Sequence, residues 1–151
     1  MSEYVVFTNN TNVLNMKLCL SVIMPVFNER ATVAGIIETV LLQPQVAELI
    51  VVNDASSDGT RDELERIKNS DSRLRVYHHD KNQGKGAALR TGIARATADI
   101  VIIQDADLEY DPAEYPILLH PILSGKADAV FGSRFIGSQE HRVLYFWHSN
   151  R

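Results

Sequence analysis

The chain contains short runs of apolar residues, and polar residues follow each run. Five such runs stand out, at residues 18–27, 49–52, 74–78, 100–103 and 127–131. Most are apolar at successive positions rather than at alternate ones, which is typical of strands buried on both faces of a sheet. We therefore predict one sheet of five strands, with both of its faces buried.

The segments between these runs carry apolar residues at intervals of three or four, the spacing of amphipathic helices. We expect a first helix capped by Asn28 and a second opening at Thr60, where Thr-Arg-Asp-Glu has the spacing of a capping box. A third helix covers residues 87–96. A fourth follows the cap residue Asp111 and should end or kink at Pro121. Strands and helices that alternate in this way predict an α/β fold, a mostly parallel sheet with helices on both faces.

Length and charge describe one acidic globular domain. The chain has 151 residues, and its 15 basic and 19 acidic residues give a net charge of −4, which argues against nucleic-acid binding through a basic face. The apolar runs are shorter than the roughly 18 residues that a membrane span requires. The single Cys19 has no partner for an internal disulfide. We therefore expect a cytoplasmic protein in a reducing compartment.

The loops that follow the predicted strands carry most of the candidate chemistry. In parallel sheets, ligands bind beyond the carboxyl ends of the strands. Residues 25–29, 53–58, 80–85 and 105–111 all fall at those ends. We expect these four loops to line one crevice.

The stretch VIIQDADLEYDP places acids at positions 105, 107, 109 and 111 directly after a buried strand. Hard cations such as Mg²⁺ and Mn²⁺ take one or two protein carboxylates and complete their shell with water and substrate phosphates. Two acids that flank a small residue fit this need, so Asp107 is favoured as a metal ligand. Asp111, which precedes a proline, is favoured as a helix cap, and Glu109 is left open between metal ligand and surface charge.

Three other chemistries fit the sequence less well. A dinucleotide-binding fingerprint at residues 84–89 has Leu89 in place of its third glycine. A phosphate-binding P-loop would require glycine where His79 stands and a hydroxyl residue where Gly86 stands. A phosphatase aspartate nucleophile would normally follow the first strand, and Glu109 takes the place of the expected hydroxyl residue.

Five motifs in order resemble those of a known family. They are PVFNE at 25–29, VVNDASSDGT at 51–60, NQGKGAALRTG at 82–92, QDADLEYDP at 104–112 and FGSRF at 131–135. Together they resemble a family 2 inverting glycosyltransferase with the three-layer GT-A fold of nucleotide-diphospho-sugar transferases. Dolichyl- or polyprenyl-phosphate hexose synthases are the members with which the motifs agree best. The resemblance covers residues 17 to about 147.

The resemblance implies a role for each matching residue on the donor side. The donor is a nucleotide sugar, either UDP-glucose or GDP-mannose. By this resemblance Pro25, Phe27 and Glu29 flank the base and ribose, Asp54 accepts a hydrogen bond from the base, and Lys85 steadies the diphosphate. Asp105 approaches the ribose and the metal, and Asp107 is the catalytic metal ligand, with Mg²⁺ or Mn²⁺ as cofactor. The family usually has a second acid where this chain has Asn53, which leaves the base preference open.

On the acceptor side, the resemblance points to phosphate-binding arginines. Arg134 of the GSRF motif is the candidate that meets the acceptor phosphate and takes part in catalysis, and Arg142 is a second candidate. A polyprenyl phosphate is already an anionic nucleophile, whereas transfer to a saccharide hydroxyl in cell-wall or exopolysaccharide synthesis requires a general base. Both acceptors stay open, as does nucleotide-sugar binding without turnover.

The resemblance also shapes the expected domain organisation. We expect residues 1–15 to be a loosely ordered or non-native extension and residues 16–151 to be the donor-binding part of the catalytic domain. Members of the family continue beyond the position of Arg151, so we expect a chain truncated at its C-terminus. A lipid-phosphate acceptor would bring the protein to the cytoplasmic face of a membrane as a peripheral partner. The sequence does not predict an oligomeric state.

Overall fold

A computed structural model describes residues 5–8, 20–107 and 110–131. Within these residues the strands are β1 (Val5–Thr8), β2 (Leu20–Val26), β3 (Val46–Asn53), β4 (Leu74–His78), β5 (Ile100–Ile103) and β6 (Ala129–Phe131). The helices are α1 (Val33–Leu41), α2 (Thr60–Ile67), α3 (Lys85–Ile93) and α4 (Tyr115–Leu123), and a 3₁₀ turn at Pro112–Glu114 precedes α4. In the part of the chain so described, no helix combines the length and the apolar character that crossing a bilayer requires.

The strands form one mixed sheet in the order β4-β3-β2-β5-β1-β6. Strands β2, β3, β4 and β5 are parallel to one another, and β1 is antiparallel to both β5 and β6. All five strands predicted from the sequence are present. Strand β3 is longer than predicted and β6 is shorter.

Strand β1 corrects one expectation. Residues 5–8 were expected to belong to a loosely ordered extension, but they form a strand between β5 and β6. Their sequence, Val-Val-Phe-Thr, is rich in β-branched and aromatic residues, which suit a sheet. Four residues make too short a pattern to identify a strand, and pairing with the exposed edge of β5 determines their structure.

Helices cover both faces of the sheet, which explains the continuously apolar strands. Alternate residues of β2 point to opposite faces: Val22 and Met24 join a core with α1, α2 and α4, whereas Ile23 joins a smaller core with α3. Among the described helices, α3 is the one that packs against β2 and β3 on this second face. The result is the predicted three-layer arrangement.

The caps of the first two helices differ from the prediction. Asn28 is not the cap of α1, because the helix begins at Val33 and Asn28 lies in the preceding turn with a φ of 58°. Its side-chain oxygen instead accepts a hydrogen bond from the Ser57 backbone N–H at 2.9 Å. Helix α2 begins at Thr60 as predicted, but without a capping box. The Asp58 carboxylate instead accepts a hydrogen bond from the Thr60 backbone N–H at 3.0 Å and so caps the start of the helix.

The later helix boundaries are partly as predicted. The Asp111 carboxylate accepts from the Ala113 N–H at 2.9 Å, which confirms Asp111 as a cap. Helix α4 does not end at Pro121 but continues to Leu123. Helix α3 begins at Lys85 rather than at residue 87 and ends at Ile93 rather than at residue 96.

Candidate functional site

A cleft opens where strands β2 and β5 separate. Their pairing ends at Ile23 and Ile103, and the Ile23 carbonyl accepts a last hydrogen bond from the Gln104 N–H at 3.0 Å. Pro25 lies two residues beyond Ile23, so its backbone nitrogen points toward the β5 side. Pairing with β5 has already ended there, and the missing N–H of proline therefore costs the sheet no hydrogen bond. The chain runs from β2 outward to β4 and returns to β5 on the other side of β2. Such a switch in strand order is where α/β sheets bind ligands.

The cleft has a volume of about 520 Å³ and collects residues from four loops. Its walls are formed by Pro25, Val26, Phe27, Glu29, Asp54, Asn82, Gly84, Lys85, Ala88, Asp105, Ala106 and Asp107. Every site residue predicted from the sequence that lies in the described part of the chain is in this set. Arg134, Arg142 and Glu109 lie outside the described residues. The structure thus brings the predicted donor-side residues together, and their individual roles remain predictions.

The rim and the floor of the cleft differ in exposure. The Phe27 ring is 48% exposed, so it is a rim residue and not part of the core. Glu29 lies nearby, where its carboxylate accepts from the Thr32 hydroxyl at 3.0 Å. Asp54 forms part of the floor and is 2% exposed. A cleft lined by both an exposed aromatic residue and a buried acid suits a flat, polar ring such as a nucleobase.

Asp54 holds the loop that leads into helix α3. Its carboxylate accepts hydrogen bonds from the backbone N–H groups of Gln83 and Gly84, the shortest at 2.7 Å, and from His79 Nδ1 at 2.7 Å. Burial raises the pKa of Asp54, but the hydrogen bonds from His79, Gln83 and Gly84 together lower it more, so the net pKa lies below its ordinary value. The carboxylate is therefore charged at neutral pH, and its oxygens are mostly occupied by the loop between β4 and α3.

Lys85 and Asp105 form an ion pair across the cleft. The Lys85 ammonium lies 2.6 Å from Asp105 Oδ1 and 2.9 Å from Oδ2. The Lys85 side chain is 51% exposed and Asp105 is 14% exposed. The ammonium is half exposed, so water can solvate it when it leaves Asp105, whereas the mostly buried Asp105 carboxylate would then need another cation as its partner.

A buried amide supports the turn that carries the acids. Gln104 is fully buried, and its Nε2 donates to the carbonyls of Asp105 at 3.1 Å and Tyr110 at 3.4 Å. Its Oε1 accepts from the Tyr115 hydroxyl at 2.9 Å. The sequence interpretation missed Gln104 in this role, although an amide at the end of an apolar strand signals a buried group that must find partners.

Removing the Tyr115 hydroxyl tests this support. Tyr115→Phe leaves Gln104 Oε1 without its donor, and we expect the free energy of unfolding in urea to fall by about 1–2 kcal/mol. The control is Tyr77→Phe, which removes a hydroxyl from a half-buried ring on β4 and should change stability by less than about 0.5 kcal/mol. Equal effects of the two substitutions would contradict a supporting role for Tyr115.

Asn53, the position where the family usually has an acid, does not line the cleft. Its Oδ1 accepts from the Ser56 N–H at 3.1 Å, and its Nδ2 lies 3.0 Å from His78 Nδ1. His78 in turn contacts Glu65 at 3.0 Å. Asn53 therefore fixes the backbone of the loop that follows β3, and its amide suits the neighbouring imidazole as a hydrogen-bond donor.

The acids of the cleft fit a divalent cation that is shared with a ligand. In the described residues, no three His, Cys, Asp or Glu side chains are grouped so that they could hold a metal ion by themselves. Asp105 and Asp107 nevertheless line the same cleft. Two carboxylate oxygens from the protein, completed by water and phosphate oxygens, are the usual set for Mg²⁺ and are acceptable to Mn²⁺. The donor set therefore fits a cation that binds together with phosphates.

The fold and the cleft define an α/β domain with a ligand cleft at the switch in strand order, and the comparisons with known proteins identify its family. Residues 21–150 match the model of "Glycosyl transferase family 2". The chain belongs to this family, and the predicted family and fold class are confirmed. It is 31% identical over 130 residues to the dolichol-phosphate mannosyltransferase of Pyrococcus furiosus, an alignment that covers 83% of this chain and 36% of that protein.

Solved structures agree in fold and in sequence. A mannosyltransferase from Pyrobaculum calidifontis, in complex with GDP-Man and Mn²⁺, matches with a TM-score of 0.54 and 30% identity over 59% of this chain and 27% of that one. Glucosyl-3-phosphoglycerate synthase from Mycobacterium tuberculosis, in complex with Mn²⁺, UDP and glucosyl-3-phosphoglycerate, matches with a TM-score of 0.57 and 31% identity over 70% and 39%. The chain spans between 27% and 39% of the lengths of these three proteins.

Proposed function

We propose that this chain is the donor-binding part of a metal-dependent inverting glycosyltransferase that moves a hexose from UDP-glucose or GDP-mannose to a polyprenyl or dolichyl phosphate. The observation that carries the proposal is the cleft at the switch in strand order. It combines an exposed aromatic rim, a lysine at the start of a helix and two acids on one turn. The similar proteins solved with GDP-Man or UDP and with Mn²⁺ support the donor class and the cofactor.

Each residue of the cleft is assigned to one part of the nucleotide sugar. Pro25 and Phe27 at the rim flank the base, and Glu29 lies on the ribose side. Asp105 and Asp107 hold the divalent cation, which supplies Lewis-acid stabilisation of the departing nucleoside diphosphate. Lys85 exchanges its contact with Asp105 for the diphosphate, which its position at the first turn of α3 favours.

The proposed acceptor is a phosphate, which is itself the nucleophile. A lipid phosphate is ionised at neutral pH and needs no general base, and Arg134, with Arg142 as second candidate, is assigned to hold it. The similarity to a dolichol-phosphate mannosyltransferase supports this acceptor class over a saccharide hydroxyl. A lipid acceptor also places the reaction at the cytoplasmic face of a membrane.

Calorimetry with UDP-glucose and with GDP-mannose, in the presence and absence of Mn²⁺, tests the donor side. We expect one of the two to bind, and to bind more tightly with Mn²⁺. Asp107→Ala should weaken the Mn²⁺-dependent binding by at least about 10- to 100-fold, because that is the loss when only a residue that orients a metal ligand is removed. Asp99→Ala, which removes an exposed carboxylate at the opposite end of β5, is the control and should bind as the wild type does.

Two outcomes would refute the proposed donor site: no binding of either nucleotide sugar, or binding that responds neither to Mn²⁺ nor to Asp107→Ala. Release of nucleoside diphosphate on addition of a short-chain polyprenyl phosphate tests the acceptor. Release with a saccharide acceptor instead would favour the hydroxyl alternative. Donor affinity without release would favour binding without turnover by this chain.

A further inference from the structure

Helix α3 is attached to the floor of the cleft at two separate points. At its start, the Gly84 N–H donates to Asp54 Oδ2 at 2.7 Å. Two turns later, the Thr91 hydroxyl contacts His79 Nε2 at 2.9 Å. His79 Nδ1 in turn contacts Asp54 Oδ1 at 2.7 Å, so one imidazole connects both points.

The protonation of this bridge is fixed at one of its two nitrogens. An ionised carboxylate only accepts hydrogen bonds, so Nδ1 of His79 must carry a hydrogen. The Thr91 hydroxyl can donate or accept, and it therefore satisfies Nε2 in either state of the ring. The side chains of His79 and Asp54 are 10% and 3% exposed, so water competes little for these contacts.

We propose that His79 is a positioning residue for donor binding, which acts through Asp54 to hold the Gln83–Gly84 backbone so that Lys85 faces the diphosphate. Lys85 is the first residue of α3 and follows Gly84 directly. Any shift of the 83–84 backbone therefore moves the lysine relative to Asp105 on the other side of the cleft. The proposal rests on the proposed function, because the diphosphate is the ligand that Lys85 would meet.

Three substitutions separate this hydrogen bond from simple packing. Asparagine places its amide nitrogen near the position of Nδ1, whereas glutamine places its amide nitrogen near that of Nε2. His79→Asn therefore keeps a donor to Asp54, His79→Gln keeps only the contact with Thr91, and His79→Ala keeps neither. His120→Ala, on the exposed side of α4, is the control.

The first measurement is the dissociation constant for whichever of UDP-glucose and GDP-mannose the wild type binds with Mn²⁺. It is taken at a temperature where circular dichroism shows every variant folded. We expect His79→Ala and His79→Gln to weaken binding about tenfold, the loss of roughly one charge-assisted hydrogen bond. His79→Asn should stay within about threefold of the wild type, and His120→Ala should be unchanged.

The second measurement is amide hydrogen exchange at Gln83 and Gly84 without ligand, which does not depend on nucleotide binding. Exchange should be faster in His79→Ala and His79→Gln than in the wild type and in His79→Asn. The inference is wrong if His79→Gln restores binding and protection as well as His79→Asn does, or if His79→Ala leaves both unchanged. If His79→Ala does not fold, the comparison of His79→Asn with His79→Gln tests the inference by itself. A wild type that binds neither nucleotide refutes the proposed function, while the exchange experiment still tests the bridge.

Discussion

Replacing Gly92 with valine is expected to destabilise the fold by about 3 kcal/mol or more, a large part of the about 5–15 kcal/mol that typically keeps a domain folded. Gly92 lies in α3 where the helix crosses β2 and β3. A Cβ atom at this position would stand 2.4 Å from Ile23 Cγ2 and 3.5 Å from Val52 Cγ2. Ile23 is fully buried on the central strand, so it has little room to move. Helix α3 would have to lift from the sheet.

Alanine substitutions at two helical glycines, Gly35 and Gly92, provide the control for this prediction. In an exposed helix interior, glycine to alanine usually stabilises by about 1 kcal/mol. Gly35→Ala in α1 meets nothing within 4 Å and should follow this rule. Gly92→Ala should instead destabilise by about 1–3 kcal/mol. Urea unfolding of the two variants checks the opposite signs, and a Gly92→Ala variant as stable as the wild type would show that α3 does not need this close approach.

The position of the cleft could be predicted from sequence because it depends on topology. Continuous apolar runs that alternate with helices imply a parallel sheet, and the carboxyl ends of such strands lie at one edge. The residues at those ends, among them Asp54, Lys85 and Asp105, therefore had to lie near one another. No knowledge of individual contacts was needed for this inference.

The residues that support the cleft could not be predicted in the same way. His79 meets Asp54 across 25 positions of the chain, and Gln104 meets Tyr115 across 11. Neither pair lies within one helix or one strand, so no local pattern indicates it. Strand β1 shows the same limit, since an open sheet edge rather than its four residues determines its pairing.

Asn28 and Thr60 show how a tertiary contact replaces a local one. Both have the residue type of a helix cap, and the local pattern favours that role. In the fold the Asn28 side chain and the Thr60 hydroxyl instead join the loops after β2 and β3: Asn28 accepts from the Ser57 N–H, and Thr60 Oγ1 accepts from the Glu29 N–H at 2.9 Å. These contacts hold two walls of the cleft together, so the residues serve the site rather than the helix.

The second large effect is expected at Asp54. Asp54→Ala removes the acceptor for the Gln83 and Gly84 N–H groups and the partner of His79, all partly buried. We expect the free energy of unfolding to fall by about 2–4 kcal/mol, because several donors lose their partner at once. Mn²⁺-dependent nucleotide-sugar binding should fall below detection, since the loop that carries Lys85 is no longer held.

Asp54→Asn is the matched variant, because an amide can reproduce most of this pattern. Its oxygen replaces Oδ2 as acceptor for Gly84, and its NH₂ group donates to His79 Nδ1 when that nitrogen is unprotonated. We therefore expect Asp54→Asn to lose about 1 kcal/mol and to keep measurable binding. If Asp54→Ala were as stable as Asp54→Asn, water would be replacing the carboxylate and the network would not hold the loop.

The pH dependence distinguishes the charge of Asp54 from its shape. Its pKa in the folded protein is below the ordinary value of 3.8, so the carboxylate stabilises the fold fully above that pH. As the pH falls below 3.8 toward the folded pKa, Asp54 takes up a proton in the folded state as well, and this contribution is lost. The stability difference between the wild type and Asp54→Asn should therefore shrink as the pH falls from about 5 toward about 3. Other carboxylates with lowered pKa values, such as Glu48 and Asp71, are common to both proteins and cancel in the difference. A difference that persists unchanged at the acid end would mean that the geometry of the side chain, and not its charge, holds the loop.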